Sequence, residues 1–536
     1  MMKRISLKAT FLFVFVAAGV LLVWNHTRNN QPDTTGEITD PELLEGKLLS
    51  ETWCASCHAF PDPKLLPWSV WRFETLPAMR PFMGLSGESG FAASSSPWLP
   101  ENVYPSDPLV SEAEWEKIRN YYLQMAPREL EPSEKSPGIV TDSLFFRARV
   151  PDHTLPEPSR VTAVALDPGN SLIYLGEAGG PELQVYDSNL QRTGGKPVAS
   201  VLSEIRIPES LDESGVRNLI LTEMGIMDPV DGPFGSVSQV RFNPDSARFG
   251  TETRMVTDIS RPTQAQYADL TGDGRKELLI NEFGHRAGGL FWLERDGDGW
   301  EGEKHILTDS PGCIRSRVLD YTGNGLSDVV ALCAQADQAL YLFRNQGDGD
   351  FERQTLLRFE VTAGSTSFSI LDFNEDGLLD ILYTSGDNAD YSKVFKPYHG
   401  VYIYLNEGDD QFQEAWFYPV NGAYDAKAED FNGDGRLDLA VISYFADYEQ
   451  SPGEGFLLFL NEESFLNEGG PAFTPYHHPA ATSGRWLSMD VADWTGNGRP
   501  DILLGNFSEG PIMVDETWRD RWQSTPPFLI LENRLN

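Results

Sequence analysis

The sequence predicts a multidomain chain in which a small all-α domain precedes a large all-β repeat domain. A Cys-x-x-Cys-His motif lies between two segments of helical periodicity, and further along an acidic nine-residue pattern recurs five times between apolar runs of strand length. The chain has 536 residues, more than one domain usually contains, and 40% of them are hydrophobic, which is enough to form cores. We therefore expect an N-terminal segment at 1–30, a helical domain at 40–127, a linker at 128–158 and the repeat domain at 159–536.

The charge of the chain argues against one class of partner. Lys and Arg total 42 against 80 Asp and Glu, so the formal net charge is −38. A surface this acidic repels phosphate backbones, and we expect no binding to nucleic acid. Most of the carboxylates serve solubility, except the subset that recurs at fixed spacing.

The N-terminal segment has the pattern of an export signal. Lys3, Arg4 and Lys8 precede an uninterrupted apolar run at 11–24. The run is short for a full span, yet residues 25–28 lack the small residues of a cleavage site. An uncleaved anchor is preferred, while a cleaved signal and a buried core helix stay open. Either export reading predicts a cell-envelope protein on the periplasmic or extracytoplasmic side, with membrane contact through this segment.

Residues 54–58 read Cys-Ala-Ser-Cys-His, the signature of covalent haem attachment. Two thiols three positions apart can each add to one vinyl group of a porphyrin, and the adjacent histidine then lies under the iron. A thioredoxin-like pair and half of a zinc site are the alternatives, but no second ligand pair for zinc lies nearby. The motif predicts one haem c, held covalently by Cys54 and Cys57, with His58 as the proximal iron ligand.

Helix signals flank this motif on both sides. Asp40 and Pro41 form an N-cap and first-turn pair, and Ser111 with Glu114 forms a capping-box pattern before an apolar face at helical spacing. Residues 40–127 resemble a class I c-type cytochrome domain in length, order of elements and motif. The resemblance implies that the first and last helices pack together beside the haem and that the sixth iron ligand lies between them.

Two methionines are candidates for that distal ligand. The resemblance favours Met79, which follows Leu-Pro-x, over Met83, and the case in which neither binds iron stays open. A thioether ligand raises the reduction potential, as suits an electron carrier. Trp68 and Trp71 either wall the haem pocket or pack in the core.

The acidic pattern of the repeat domain has the chemistry of a calcium loop. Oxygen-bearing side chains occupy positions 1, 3 and 5, glycine permits a turn at position 6, position 7 offers a carbonyl and position 9 a carboxylate. Successive copies begin 51 to 63 residues apart and lie between apolar runs, so each loop joins a hairpin and not two helices. We therefore expect several calcium ions. The candidate ligands are Asp269, Thr271, Asp273, Arg275, Glu277, Asp320, Thr322, Asn324, Leu326, Asp328, Asp372, Asn374, Asp376, Leu378, Asp380, Asp430, Asn432, Asp434, Arg436, Asp438, Asp493, Thr495, Asn497, Arg499 and Asp501.

The five loops are not expected to bind calcium equally. Those beginning at Asp372 and Asp430 carry three carboxylates each, whereas those at Asp320 and Asp493 carry two. Because affinity follows ligand charge, the first pair should hold calcium more tightly. The alternative is that some loops are empty turns closed by their own backbone hydrogen bonds.

A second element recurs together with the loops. Strand-then-turn segments recur at 342–349 and 404–410, with Asn345 and Asn406 before the turn, and residues 530–533 resemble their strand. In combination with the loops they resemble FG-GAP/VCBS repeats, the blades of integrin-type β-propellers, over residues 160–536.

The number of blades follows from two further units. Residues 161–186 and 214–242 have the strand pattern without a full ligand set, which raises five units to seven. We therefore predict a seven-bladed all-β propeller, and we expect residues 144–150 to supply a strand to the last blade. Cys313 and Cys333 lie on the two strands joined by the second loop, which favours a disulfide in an exported protein over free thiols or metal binding.

The propeller face opposite the calcium loops carries a basic cluster. Such a cluster in an acidic chain could receive an anionic ligand, a glycan or a protein partner. The alternative is that its members cap strand ends and pair with local acids. The members are Arg261, His285, Arg286, Arg315, Tyr444 and Arg485.

The haem motif favours single-electron transfer with a redox protein partner, and the propeller would dock that partner or a ligand. One alternative is a dehydrogenase-like redox enzyme with its substrate on the propeller face and the haem as electron outlet. Another is a non-catalytic adhesion or glycan-binding propeller with a redox-sensing haem. Because no nucleophile–base set or nucleotide fingerprint is recognisable, an electron carrier is preferred over a catalyst and no catalytic residue is assigned.

Overall fold

The computed structural model describes residues 38–535 with short gaps. The N-terminal segment at 1–30, with its export signal, lies outside the described residues. Within them, no helix is both long enough and apolar enough to cross a membrane. The gaps are 87–96, 102, 153–157, 209–214, 296, 298, 301, 390–392, 463–471, 511–515 and 523–524.

Seven separate β-sheets account for most of the structure, and each forms one blade of a β-propeller. Strands β1 (Val140–Thr141) and β2 (Phe146–Arg149) precede the first blade. Blade 1 consists of β3 (Val161–Asp167), β4 (Leu172–Glu177), β5 (Glu182–Tyr186) and β6 (Arg192–Pro197). Blade 2 consists of β7 (Val201–Arg206), β8 (Arg217–Gly225), β9 (Gly235–Asn243) and β10 (Arg248–Ile259).

The next three blades repeat this antiparallel order. Blade 3 consists of β11 (Pro262–Ala268), β12 (Glu277–Glu282), β13 (Gly289–Leu293) and β14 (His305–Thr308). Blade 4 consists of β15 (Cys313–Leu319), β16 (Asp328–Cys333), β17 (Ala339–Gly347) and β18 (Asp350–Arg358). Blade 5 consists of β19 (Ser365–Leu371), β20 (Asp380–Ser385), β21 (Gly400–Asn406) and β22 (Phe412–Pro419).

The last two blades take strands from residues that precede the propeller in sequence. Blade 6 consists of β23 (Ala423–Glu429), β24 (Asp438–Ser443), β25 (Phe456–Asn461) and β26 (Phe473–His477), and β1 adds to β26 in parallel. Blade 7 consists of β27 (Trp486–Ala492), β28 (Asp501–Asn506) and β29 (Phe528–Asn533), and β2 pairs antiparallel with β29 as its fourth strand.

These pairings close the ring and confirm the prediction of seven blades. They also confirm that residues 144–150 supply a strand to the last blade. The segment at 128–158, expected as a linker, therefore contributes two strands to the propeller.

The first strands of successive blades neighbour one another around the ring, so they surround its axis. The second strands, such as β16 and β20, are buried along their whole length, which explains why they read as continuous apolar runs. Cys313 on β15 lies opposite Cys333 on β16, and the two form a buried disulfide, as the sequence predicted.

The helices are few and short. The two longest are α1 (Pro41–Trp53) and α4 (Glu112–Met125), which contact each other. Between them lie α2 (Trp68–Val70), α3 (Leu76–Met79), a π-turn at Trp71–Thr75 and 3₁₀ turns at Pro63–Leu65 and Arg80–Met83. The propeller adds α5 (Glu516–Trp522) and 3₁₀ turns at Pro452–Gly455 and Pro479–Ser483.

Both predicted helix starts are confirmed by the hydrogen bonds that cap them. The Asp40 side chain accepts from the Glu42 amide at the start of α1, with Pro41 as the first helical residue. Ser111 and Glu114 form a complete capping box at the start of α4. These caps satisfy amides that the first turn of a helix leaves without intrahelical partners.

The helical segment at 38–127 does not stand apart from the propeller as the separate all-α domain that the sequence predicted. The Tyr398 hydroxyl in the β20–β21 loop donates to the Leu65 carbonyl at 3.0 Å, and Val394 packs against the apolar cluster of the helices. The ring of Trp98 lies 5.9 Å from that of Phe234 in the β8–β9 loop. Both loops join the second and third strands of their blades, so the helical segment lies against the propeller face opposite the acidic loops.

Candidate functional site

The two thiols of the Cys-x-x-Cys-His motif lie where α1 ends. Cys54 is the C-cap of α1, and its amide donates to the Ser50 carbonyl at 2.8 Å. Both Cys54 and Cys57 are free thiols, whereas the other two cysteines of the chain are bonded to each other. Cys54 packs against the apolar cluster of the helices, and burial raises its pKa to about 11. Cys57 is exposed.

The imidazole of His58 is oriented by a backbone contact. Its Nδ1 lies 2.8 Å from the carbonyl oxygen of Ala59, an acceptor, so Nδ1 donates and the tautomer of the neutral ring that fits this contact has its lone pair on Nε2. Engagement of one ring nitrogen by a carbonyl is the usual way in which a protein fixes the tautomer of a metal-binding histidine.

The turn that follows His58 is tied to two helical elements. The Tyr122 hydroxyl on α4 donates to the Pro61 carbonyl at 2.9 Å, and the Trp71 indole donates to the Pro63 carbonyl at 2.8 Å. The rings of Trp71 and Tyr122 lie 4.5 Å apart within the cluster. These contacts hold the segment beside the imidazole in one position.

The structure brings both candidate methionines into the same apolar cluster as Cys54. Met79 is half-buried, and Met83 is 7% exposed. Trp71 is a core residue, whereas Trp68 lies beneath two guanidinium groups, those of Arg72 at 5.1 Å and Arg128 at 4.8 Å. Free thiols, an oriented imidazole and thioethers beside an apolar cluster are groups that fit a covalently bound haem.

The five acidic loops have one shared geometry. The carboxylate at position 1 accepts from the glycine amide at position 6 at 2.8 to 3.0 Å in every loop. The side-chain oxygen at position 5 accepts from the amide at position 7 at 2.8 to 2.9 Å. The position-6 glycines all have positive φ, between 80° and 88°, which a residue with a Cβ adopts only at a cost.

The carboxylates at position 9 are buried, and their hydrogen bonds link separate segments of the backbone. One oxygen accepts from an amide at position 2 or 3 of its own loop. In blades 4 to 7 the other oxygen accepts from the amide of an asparagine at the end of the third strand, at 2.7 to 2.9 Å. Burial raises the pKa of Asp438 to about 7 and also raises the pKa of Glu277, Asp380 and Asp501.

These asparagines explain the second recurring element of the sequence. The Asn345 side chain donates to the Leu270 carbonyl of blade 3 at 2.9 Å, and the Asn533 side chain donates to the Phe431 carbonyl of blade 6 at 2.8 Å. Each acceptor is position 2 of the loop in the preceding blade. In these two blades the recurring asparagine therefore links its own blade to the preceding one, a role that no local sequence pattern indicates.

The residues predicted as a basic cluster mostly bind local groups. Arg485 is 1% exposed, donates to the Tyr444 carbonyl at 3.0 Å and lies 3.9 Å from the Tyr444 ring. Arg315 pairs with Asp425 at 2.9 Å. The Asp231 carboxylate accepts from the amides of three consecutive residues beginning at His285, and Arg286 belongs to this turn. Arg261 donates to the Met227 carbonyl at 2.9 Å. The geometry favours the alternative interpretation, in which these residues bind local groups and stabilise the loops of this propeller face.

An apolar cluster closes the propeller axis at this same face. Its buried members are Tyr444, Phe445, Leu487 and Phe507, with Tyr424 packed against them. Ala178, Met227 and Ala389 from three other blades also pack against it. Side chains from blades on opposite sides of the ring can meet only over the axis, so we call this cluster the axial plug. Nothing in the sequence pattern predicted it.

No three His, Cys, Asp or Glu side chains converge as a metal cage within the described ranges. In the acidic loops the position-9 carboxylates are occupied by backbone amides on both oxygens in four of the five blades. The side chains at positions 1, 3 and 5 are not buried in any of the five loops and can face an ion, although the position-1 carboxylates also accept from backbone amides.

Comparisons with known proteins find the same kind of repeat in this chain. FG-GAP-like repeats match residues 269–331, 320–383 and 388–441. Phosphatidylinositol-glycan-specific phospholipase D of Mus musculus is 24% identical over 176 residues, 31% of this chain and 19% of that protein. Its Rattus norvegicus counterpart is 25% identical over 156 residues, 28% of this chain and 16% of that protein. The chain thus spans less than a fifth of the length of these curated relatives.

Among solved structures, BBS1N in complex with ARL6DN aligns with this chain at a TM-score of 0.41 and 10% identity. The alignment covers 73% of this chain and 97% of that one. The N-terminal domain of Nup159 has a TM-score of 0.40 at 11% identity, covering 75% and 100%. Saccharomyces cerevisiae Sqt1 has a TM-score of 0.39 at 10% identity, covering 73% and 98%. On its own strand topology and the repeat match, the chain carries FG-GAP-like repeats within a seven-bladed β-propeller.

Proposed function

We propose that this chain is an exported c-type cytochrome that transfers single electrons to or from a redox protein partner. Haem c would be held by Cys54 and Cys57, with the Nε2 atom of His58 as the proximal iron ligand. The observation that carries the proposal is the geometry of this motif: two free thiols and an imidazole whose Nδ1 is already engaged by the Ala59 carbonyl. The bound haem would supply a one-electron redox centre.

The remaining residues of the helical segment would position that centre. Tyr122 and Trp71 tie the turn after His58 to the helices, so the imidazole keeps one orientation. The apolar cluster would exclude water from the side of Cys54. We propose Met79 as the distal ligand, with Met83 as the alternative, because both thioethers reach this cluster and Met79 is the less buried of the two.

Production in a host that attaches haem in its periplasm tests the covalent link. Mass spectrometry of the mature chain should show a haem adduct on the peptide that contains 54–58, and the reduced protein should have a c-type optical band. Cys54→Ala combined with Cys57→Ala should abolish both signals. The matched control, Cys313→Ala with Cys333→Ala, also removes two cysteines and should keep the haem. A wild-type chain without the adduct would refute the proposal.

The same preparation separates the two methionines and tests electron transfer. The weak red absorption of a methionine-ligated oxidised haem should vanish in Met79→Ala and persist in Met83→Ala; the reverse pattern would assign Met83. We expect the haem to be reduced by another redox protein and not by small organic substrates alone. Substrate-dependent reduction of the isolated protein would instead support a dehydrogenase-like enzyme.

The propeller, in this proposal, presents the haem segment to its partner. The helical segment lies against the face opposite the acidic loops, and the axial plug closes that face at the centre, which argues against a substrate or glycan bound over the axis there. A redox partner would dock on the exposed side of the helices. Attachment to the cell envelope through residues 1–30 is part of the same proposal.

We also propose that the acidic loops bind calcium, most tightly at Asp372 and Asp430. The support is their shared turn geometry and the oxygen groups at positions 1, 3, 5 and 7. Chelation should lower the melting temperature, because an ion that binds only the folded state stabilises it. Asp430→Asn should weaken that response, whereas Asp438→Asn at position 9 should destabilise the protein even without calcium. A melt that chelation leaves unchanged would show that the loops are empty.

A further inference from the structure

The axis of the propeller is lined by charged side chains of the first strands. Arg315 and Arg317 lie two positions apart on β15, and Asp425 and Lys427 lie two positions apart on β23. Alternate residues of a strand point to the same side, and the contact of Arg315 with Asp425 shows that this side faces the axis. In a chain of formal charge −38, a cationic lining is a local exception.

The carboxylates along this axis already have partners. Asp425 is paired with Arg315 at 2.9 Å and with Lys427 at 3.5 Å. Glu204 on β7 is paired with Arg206 at 2.9 Å. Asp490 on β27 accepts from the amides of Leu166 and Val491 at 2.8 and 3.0 Å.

Arg317 differs from the other cations of the axis because it forms no ion pair with a described residue. Among the described residues, no carboxylate oxygen lies within 4 Å of its guanidinium, whose hydrogen bond goes to the Ser316 carbonyl at 3.3 Å. Burial, and then the neighbouring Arg315, lower the pKa of Arg317 to about 10, which still leaves it charged at neutral pH. The guanidinium is half-buried and feels Asp425 and Glu204 only at a distance, so an anion beside it would gain a charge-assisted contact without displacing a carboxylate.

A cavity of about 220 Å³ lies next to this guanidinium. Arg317, Lys427, Ser369 and Glu429 provide its polar lining, and Leu371 and Val491 contribute apolar walls. Leu371 and Glu429 immediately precede two acidic loops, so the cavity opens on the loop face of the propeller. At the other end the axial plug closes the axis. The cavity is therefore a blind pocket, too small for a drug-sized ligand.

We propose that this pocket binds a small dianionic oxyanion, held by the guanidinium of Arg317 and the ammonium of Lys427, with the Ser369 hydroxyl as a further donor. The planar guanidinium matches two oxygens of such an anion at once, and the ammonium supplies a second charge without directional demands. Three different donors around a space of several atoms suit an oxyanion better than a halide. Glu429 at the mouth opposes the anion and so limits its affinity.

Calorimetric titration of the full-length, calcium-saturated protein with sulfate tests this proposal. Ionic strength is held constant with sodium chloride, so that saturable binding reports an oxyanion and not total salt. We expect one site. Arg317→Gln and Lys427→Gln should each weaken binding about tenfold, the usual effect of losing one charge-assisted contact. Arg254→Gln, a matched change of an exposed arginine on the outer strand β10, should leave the affinity unchanged.

The variant Glu429→Gln should change the sulfate affinity in the opposite direction. It also tests the pocket without replacing Arg317 or Lys427, so it does not require the protein to fold without one of these cations. Removal of its negative charge should tighten sulfate binding several-fold. The proposal is overturned if wild type shows no saturable binding, if folded Arg317→Gln binds as wild type does, or if Glu429→Gln fails to tighten binding. Circular dichroism and thermal melting establish whether each variant is folded. If Arg317→Gln or Lys427→Gln does not fold, the binding measured with Glu429→Gln tests the proposal.

Discussion

Replacement of Asn345 by alanine should uncouple blade 4 from blade 3 at a cost that the structure allows us to work out. The Asn345 side chain donates to the carbonyls of Leu270 and Ser327 at 2.9 and 3.0 Å and accepts from the Gly347 amide at 2.8 Å. The site is buried, so water does not replace these partners. At a net value of about 1 kcal/mol for each hydrogen bond, Asn345→Ala should lower the free energy of unfolding by about 3 kcal/mol.

Differential scanning calorimetry in calcium-saturated buffer measures this loss. For a unit of roughly 400 residues the unfolding entropy is on the order of 0.8 kcal/mol/K, so 3 kcal/mol corresponds to a decrease in Tm of about 4 °C. The backbone bond from residue 345 to Asp328 persists in the variant, because alanine keeps its amide.

Asn461 offers the matched control, since it holds the same position in blade 6. It is equally buried, yet its side-chain oxygen has no hydrogen-bond partner and its amide nitrogen bonds none of the described residues. Asn461→Ala removes the same atoms and should lower Tm by about 1 °C or less. Equal decreases in the two variants would show that the loss reflects the cavity and not the link between blades.

Three further perturbations have defined outcomes. Reduction of the Cys313–Cys333 bond, which closes a loop of separation 20, should cost about 3 kcal/mol, and a Tm that is the same with and without a reductant would contradict this. Ser111→Ala should weaken α4 by about 1 kcal/mol, seen as faster amide exchange in its first turn; unchanged exchange would mean that tertiary packing alone sets that helix start. Burial opposes ionisation of Asp425, but Arg315 and nearby groups outweigh it and lower its pKa to about 2. Because the folded-state pKa lies below the unfolded value, this stabilisation is complete above about pH 4 and is lost as pH falls towards 2, amounting to about 2.5 kcal/mol. Urea denaturation of Asp425→Asn should show a correspondingly smaller acid loss, and parallel pH profiles of variant and wild type would refute the assignment.

The periodic parts of this fold could be predicted because they depend on local residue order. Glycine at position 6 of each acidic loop, the apolar second strands and the helix caps at Asp40 and Ser111 are all short-range signals, and the structure has them where the sequence indicates. The Cys313–Cys333 bond was also within reach, because both residues lie on one hairpin whose register the loop sets.

What the sequence did not reveal depends on contacts between distant residues. Asp438 reads as an ion ligand from its spacing, but only the folded blade shows that its two oxygens face backbone amides 6 and 23 residues away. The axial plug gathers side chains such as Ala178 and Phe507 from blades far apart in sequence, and no local pattern marks them. The packing of the helices on the propeller was missed for the same reason.

The pairing of β2 with β29 has a consequence for the order in which the molecule can mature. Strand β2 leaves the ribosome before any blade exists, and its partner β29 follows only after blades 1 to 6. Until then the edge of β2 is an unpaired template, and the first blade has no neighbour on one side. Closure of the ring must await synthesis of β29. The rate-limiting event should therefore be a long-range docking that forms the whole ring and fixes the position of the helices on it in one step.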